Sequence, residues 1–270
     1  MTRAFLLLSV FFSFSLTANQ NSDAILRVLL DARCGRIFKL KNSHRVQWPQ
    51  FTGMGVDRGR LLDDAQLLAD KLARKGVHPS KEIWVVGGGK RCWGEEGRIG
   101  WMLQYLGVEN VKVVGEEQFD KMKKNIQFSP GQAPKWLPQI KSALRASLID
   151  LHKSGRLKEF ILIDARGHDE WLGAPKYMLK RGGHIAESIN IQWDSFFDSQ
   201  SHEVTVERIQ QVMARNSISK DAKILVYCTV GVRSGFMVYW LRQAGFLNAA
   251  NDDASLWAYS RNPALPLVKQ

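Results

Sequence analysis

Short apolar runs rich in β-branched residues alternate along this chain with segments in which apolar residues recur at helical spacing. Residues 82–89 (EIWVVGGG) form a strand-like run, and residues 61–77 before it carry a helix-like pattern. The same alternation returns in residues 206–231. Regular alternation of strand and helix patterns predicts an α/β fold, with mostly parallel central sheets flanked by helices.

The order of these features occurs twice. The first copy contains VLLDAR, VQWPQF and EIWVVGGG, and the second contains ILIDAR, INIQWDSFF and KILVYCTVG. Because the repeated unit is long, the repetition predicts a duplicated domain and not a short-period solenoid. The matching positions are Asp31 with Asp164, Trp48 with Trp193, Val85 with Val226, and Gly107 with Gly245.

Residues 125–136 separate the two copies and carry Pro130, Gly131 and Pro134, which is typical of a linker. We therefore predict a first domain over residues 19–124 and a second over residues 137–270. The apolar spacing in residues 137–152 predicts an amphipathic helix at the start of the second domain.

The N-terminus has the pattern of a secretory signal peptide over residues 1–18. Arg3 precedes an apolar run over residues 4–16, which is shorter than the roughly 20 residues that span a membrane. The alternative is an uncleaved anchor. The pattern predicts an exported protein, periplasmic if the source is a Gram-negative bacterium, with no stable membrane span after cleavage.

The composition narrows the possible partners. The chain of 270 residues has a formal net charge of +12, which indicates either a solvated basic face or attraction of a small anionic substrate. Its Lys and Arg residues are scattered and no nucleic-acid motif is present, so nucleic acid is not an expected partner. The histidines and cysteines lack metal-ligand spacing, and we expect neither a metal nor a cofactor. The oligomeric state is not readable from the sequence.

The chain has three cysteines, so at least one is unpaired within the monomer. A disulfide between Cys34 and Cys92 is one possibility that the sequence leaves open.

Cys228 follows a strand-like run and precedes a helix-like one, and ligands in parallel sheets bind beyond such strand ends.

The loop after Cys228 has the composition of an anion cradle. Backbone N–H groups and the dipole of the following helix would stabilise a thiolate. Gly231 permits a positive φ, Arg233 adds a permanent cation that could fork onto an oxyanion, and Ser234 is a candidate helix cap. The predicted anion-binding loop comprises Thr229, Val230, Gly231, Val232, Arg233 and Ser234.

Two alternatives for Cys228 are an inert buried cysteine and the nucleophile of a phosphatase or arsenate reductase. Cysteine-dependent phosphatases use a similar loop that is one residue longer than the four residues between Cys228 and Arg233. Tyr227 also stands where those enzymes usually have His. The tighter loop favours a single sulfur over a tetrahedral phosphate.

Together, the pieces LIDAR, EWLG, GGHIAESIN and CTVGVRS resemble those of the tandem-domain rhodanese family of thiosulfate or 3-mercaptopyruvate sulfurtransferases. Ala186 and Glu187 depart from the usual Pro-Gly or Arg-Gly pair, and residues 251–260 match the family's closing segment only loosely. The resemblance implies two tandem rhodanese-like domains and a persulfide on Cys228. Sulfane sulfur would pass from an anionic donor to cyanide or a thiol. A non-catalytic sulfur carrier is the alternative.

The resemblance also implies that the first domain is inactive, because Gly87 aligns with Cys228. Cys92 lies five residues further on and is a weaker candidate for the same place. Supporting roles are expected for Asp164 and Arg166, as an ion pair beneath the loop, and for His184, as a structural residue. Arg181 is a candidate at the mouth of the site.

Overall fold

The computed structural model describes residues 26–174 and 176–269, which form two α/β units with one four-stranded parallel sheet each. The predicted fold class, two tandem domains with parallel sheets flanked by helices, is confirmed. The predicted signal peptide lies outside the described residues, and export remains a prediction. No helix among the described residues is long and apolar enough to cross a bilayer.

The first sheet has the strand order β2-β1-β3-β4, with every neighbouring pair parallel. All six residues of β3 are buried, because this central strand has helices on both sides. Its strands are β1 (Arg27–Asp31), β2 (Ser43–Arg45), β3 (Glu82–Gly87) and β4 (Val111–Gly115). The helices of this unit are α1 (Ala65–Ala73), α2 (Glu95–Tyr105) and α3 (Glu116–Met122).

The second sheet repeats the order as β6-β5-β7-β8, again parallel throughout. Its strands are β5 (Ile161–Asp164), β6 (Ile189–Asn190), β7 (Ile224–Tyr227) and β8 (Ala249–Asn251). The helices are α4 (Leu148–Lys153), α5 (His168–Leu172), α6 (Val206–Arg215), α7 (Val232–Gln243) and α8 (Ser255–Tyr259). Asp31 pairs with Val86 in the first sheet and Asp164 with Tyr227 in the second, so the two strand ends correspond.

The helix predicted over residues 137–152 is wrong in extent, because α4 begins only at Leu148. The backbone N–H groups of Gln139 and Lys141 donate instead to the first unit, at the carbonyls of Leu106 and Tyr105. The segment before α4 therefore runs along the first unit, and the predicted domain boundaries remain predictions.

Helices α2 and α7 join the two units at close range. A side chain at Gly97 of α2 would meet the backbone of Phe236 in α7 at 2.7 Å. Farther along, the Tyr239 hydroxyl donates to the Val111 carbonyl at 2.9 Å, and buried apolar side chains of both units form one continuous core. The loops that precede α2 and α7 are consequently held at the same interface.

Candidate active site

Cys228 lies directly after β7, at the carboxyl end of a central strand, and its residue is only 1% exposed. The chain then turns through Gly231, whose φ of 76° places it in the left-handed region, and α7 begins at Val232. A Cβ at Gly231 would lie 2.3 Å from the Asp253 carbonyl oxygen. Glycine is therefore required for this turn, which curls the loop around the Cys228 sulfur.

Hydrogen-bond donors surround that sulfur. The backbone N–H groups of Val230 and Ser234 point at it, and the Ser234 hydroxyl lies 3.5 Å away. Burial alone raises the pKa of Cys228. The positive charge of Arg233 and these donors lower it by more than burial raises it, so the net pKa lies below the usual value of a cysteine. The first turn of α7 supplies additional positive partial charge. The arrangement stabilises a buried thiolate.

Arg233 is itself tied into a buried network. Its Nη1 and Nη2 donate to the two carboxylate oxygens of Glu170 at 2.7 and 3.0 Å, and Nη2 also donates to the Thr229 hydroxyl at 2.7 Å. The expectation that Arg233 forks onto a substrate oxyanion is therefore corrected, because Glu170 occupies the fork. Arg233 acts on Cys228 through its charge and fixes the loop through Thr229.

Glu170 is part of the EWLG piece, and the sequence assigns it no role. It is 3% exposed and lies in α5, whose first residues follow the ion pair of Asp164 and Arg166. Its side-chain partners, Thr229 and Arg233, are distant in sequence, whereas the Gly167 N–H donates to Oε2 at 3.2 Å from the start of the same helix. No spacing rule connects these positions, so only the folded chain shows the role of Glu170.

The other predicted supporting residues lie around the site, away from the sulfur. Arg166 donates to both Asp164 carboxylate oxygens and to the Gly183 carbonyl, and both members of this ion pair are fully buried. His184 stacks on Trp171 at 4.0 Å and shares a hydrogen bond with its carbonyl. Arg181 donates to backbone carbonyls of residues 260, 262 and 265. This places Arg181 on the C-terminal segment and not at the mouth of the site.

A cavity of about 220 Å³ opens on Cys228, and both units line it. The loop that begins at Cys228 and Tyr177 form the wall from the second unit. The guanidinium of Arg233 lies 5.4 Å from the ring centre of Trp93 and 5.5 Å from that of Tyr177. The wall from the first unit comprises Cys34, Trp48, Arg58, Cys92, Trp93 and Glu95. Most of these residues carry no local sequence pattern that predicts the site, because their proximity depends on how the units pack.

The first unit contains the corresponding loop without a nucleophile. Gly94 and Gly231 each have a left-handed φ and stand directly before a helix, α2 or α7. Glu96 and Arg233 are the second residues of these helices and therefore correspond. A Cβ at Gly87 would lie 1.9 Å from Glu96 Oε2. The Glu96 carboxyl thus fills the space that a cysteine side chain would need, and its complete burial raises its pKa to about 7.

Cys92 lies in this loop, between β3 and α2, but it is not a free thiol there. It forms a disulfide with Cys34, with an S–S distance of 2.10 Å, which answers the question that the sequence left open. Cys228 is the free cysteine of the described residues. Within the described ranges, 26–174 and 176–269, no cluster of His, Cys, Asp and Glu has the geometry of a metal site.

Replacing Arg233 with Met should raise the pKa of Cys228, because the nearest cation is lost. The pH profile of Cys228 alkylation by iodoacetamide measures this shift. The single variant leaves Glu170 buried without its cation, which should lower the free energy of unfolding by about 3–5 kcal/mol. The double variant Glu170→Gln, Arg233→Met should recover most of that stability while keeping the raised pKa. An unchanged alkylation profile in both variants would contradict this assignment.

Comparison with known proteins agrees with this geometry. A family model described as a rhodanese-like domain matches residues 144–260. A putative thiosulfate sulfurtransferase of Haloferax volcanii is 26% identical over 182 residues, covering 63% of each chain. A 3-mercaptopyruvate sulfurtransferase of Rattus norvegicus is 23% identical over 185 residues, covering 66% of this chain and 62% of its own. The chain thus spans less than two thirds of these relatives.

Among solved structures, SseA from Escherichia coli superposes with a TM-score of 0.67 at 19% sequence identity. The match covers 85% of this chain and 92% of SseA, whose structure was described under the rhodanese fold. This superposition covers both units, so the fold assignment extends beyond residues 144–260. Residues 144–260 thus carry a rhodanese-like domain, and the fold of both units is like that of SseA.

Proposed function

We propose that this protein is a sulfurtransferase that carries sulfane sulfur on Cys228. The observation that carries the proposal is the buried sulfur of Cys228 at the end of β7, which is surrounded by hydrogen-bond donors and opens on a cavity of about 220 Å³. The sulfurtransferase names of the relatives support the same reaction class. Thiosulfate and 3-mercaptopyruvate are the proposed donors, and cyanide or a thiol is the proposed acceptor.

The reaction is a double displacement. The Cys228 thiolate attacks the outer sulfur of thiosulfate, the sulfur–sulfur bond of the donor breaks, and sulfite leaves with the electron pair. The persulfide that remains is an anion, so the N–H groups of Val230 and Ser234 stabilise it as they do the thiolate. Cyanide then attacks the outer sulfur, thiocyanate forms, and the Cys228 thiolate returns.

With 3-mercaptopyruvate, the same thiolate attacks the donor sulfur and the carbon–sulfur bond breaks. The carbon fragment leaves as the enolate of pyruvate and takes up a proton. Both donors are anions, and their approach to a thiolate requires a cation that is not already neutralised. Arg233 does not provide it, because Glu170 occupies its fork.

Arg58 of the first unit supplies this cation. It lines the cavity, and its guanidinium lies 4.9 Å from the ring centre of Trp257. Among the described residues, no carboxylate lies within ion-pair distance of Arg58. The neighbouring backbone is fixed to the second unit, because Trp257 Nε1 donates to the Gly55 carbonyl and Leu61 N–H donates to Asp253 Oδ2, each at 2.7 Å.

The same network argues against phosphate-ester hydrolysis. A phosphatase loop needs its arginine to bind the transferring phosphoryl group bidentately. Here Glu170 and Thr229 take both terminal nitrogens of Arg233. The loop is therefore built around a single sulfur.

Replacing Cys228 with Ser should abolish thiocyanate formation from thiosulfate and cyanide, because a hydroxyl cannot form the persulfide. The measurement is the steady-state rate with each donor, thiosulfate and 3-mercaptopyruvate, for the native protein and the variant. Full turnover of Cys228→Ser with the better donor would overturn the proposal.

Replacing Arg58 with Gln should raise KM for the anionic donor by roughly 5- to 20-fold, because one charge-assisted contact is lost at a partly solvated position. Arg60→Gln is the matched control, since Arg60 lies in the same loop but pairs with Asp63 at 2.8 Å and does not line the cavity. Equal KM values for the two variants would contradict the role of Arg58.

A further inference from the structure

All three cysteines of the chain line one small cavity. Cys228 lies on the wall from the second unit, and the disulfide of Cys34 and Cys92 lies on the wall from the first. A persulfide on Cys228 would therefore project into a space that the two other cysteines also border.

The two members of the disulfide differ in their surroundings. Cys92 is only 2% exposed, and its sulfur accepts the backbone N–H of Cys34 at 3.0 Å. Cys34 is partly exposed. The N–H donor favours negative charge on Cys92, so Cys92 is the better leaving group. An incoming thiolate would accordingly attack Cys34 and release the thiolate of Cys92 toward the cavity.

We propose that the reduced Cys34–Cys92 pair accepts the sulfane sulfur of Cys228 and releases it as hydrogen sulfide. This inference rests on the proposed persulfide of Cys228 and names its acceptor. The oxidised pair has no free thiol and cannot act in this way, so the oxidised protein passes sulfur only to external acceptors.

The transfer has two steps. The Cys92 thiolate attacks the outer sulfur of the Cys228 persulfide, the sulfur–sulfur bond breaks, and Cys228 leaves as a thiolate. The Cys34 thiolate then attacks the Cys92 sulfur, and the outer sulfur leaves with the electron pair and takes up a proton as hydrosulfide. The disulfide is restored.

The electrons balance within the protein. The sulfane sulfur is reduced to the level of sulfide, and the pair of thiols is oxidised to the disulfide. A further cycle needs an external dithiol reductant of the Cys-x-x-Cys class. This reductant attacks Cys34 and leaves as its own disulfide, which returns the Cys34–Cys92 pair to the reduced form.

A single-turnover experiment on the full chain tests the inference. One sample is reduced with a dithiol that is then removed by anaerobic gel filtration, and the other stays oxidised. Both receive limiting thiosulfate without an acceptor. The reduced protein should release about one sulfide per loaded Cys228 and re-form the disulfide. The oxidised protein should release none and retain a gain of ~32 Da on the Cys228 peptide.

The variant Cys34→Ser separates the two steps. After reduction and loading, its sulfane sulfur should stop on the Cys92 peptide as a gain of ~32 Da, without sulfide release. Stable Cys228 persulfide in the reduced native protein, or equal sulfide release from reduced Cys34→Ser, would overturn the inference. The comparison of oxidised and reduced native protein decides the question even if the variant folds poorly.

The two proposals fail in different ways. If the relay is wrong but the sulfurtransferase proposal is right, the native protein gains sulfur on Cys228 and retains it after reduction. If no donor adds sulfur to Cys228 in either redox form, both proposals are overturned.

Discussion

The buried ion pair of Arg233 and Glu170 is the interaction on which the site depends. Both side chains are nearly inaccessible, at 5% and 3% exposure, so neither charge is tolerated without the other. The pair holds a cation beside Cys228. Both terminal nitrogens of Arg233 donate to Glu170, so they do not form a bidentate contact with a substrate. The pair also fixes Thr229, and with it the loop whose N–H groups face the sulfur. The thiolate and the loop shape are thus consequences of the same contact.

The first unit has the same strand order as the second but contributes differently to the site. Its own loop is closed by the Glu96 carboxyl, which takes the space above Gly87. The unit also forms the opposite wall of the Cys228 cavity, to which Arg58 and the Cys34–Cys92 disulfide belong. This division requires a fixed interface, which the close approach of Gly97 to Phe236 provides. One unit thus holds Cys228, and the other forms the facing wall of its cavity.

Local features of this protein were predictable from the sequence, whereas contacts between distant residues were not. The duplication, the parallel sheets, the loop after Cys228 and the glycine at position 87 follow from periodicity and alignment of the two halves. Glu170 binds Arg233, and Arg58 lies over the ring of Trp257. Both contacts join residues far apart in the chain, so no spacing rule predicts them. The predicted contact of Arg233 with a substrate oxyanion is wrong for the same reason, because the Glu170 carboxylate binds its guanidinium. The predicted helix before α4 is wrong in extent because apolar spacing does not reveal the hydrogen bonds of Gln139 and Lys141 to the first unit.

The central claim is that Cys228 takes the sulfur before any acceptor binds. The most direct test mixes the oxidised protein with thiosulfate in the absence of cyanide and measures sulfite within the first turnover. The double displacement predicts a burst of about one sulfite per active chain, followed by no further release until an acceptor is added. Sulfite that appears only after cyanide is present would contradict the account, because transfer would then require donor and acceptor together.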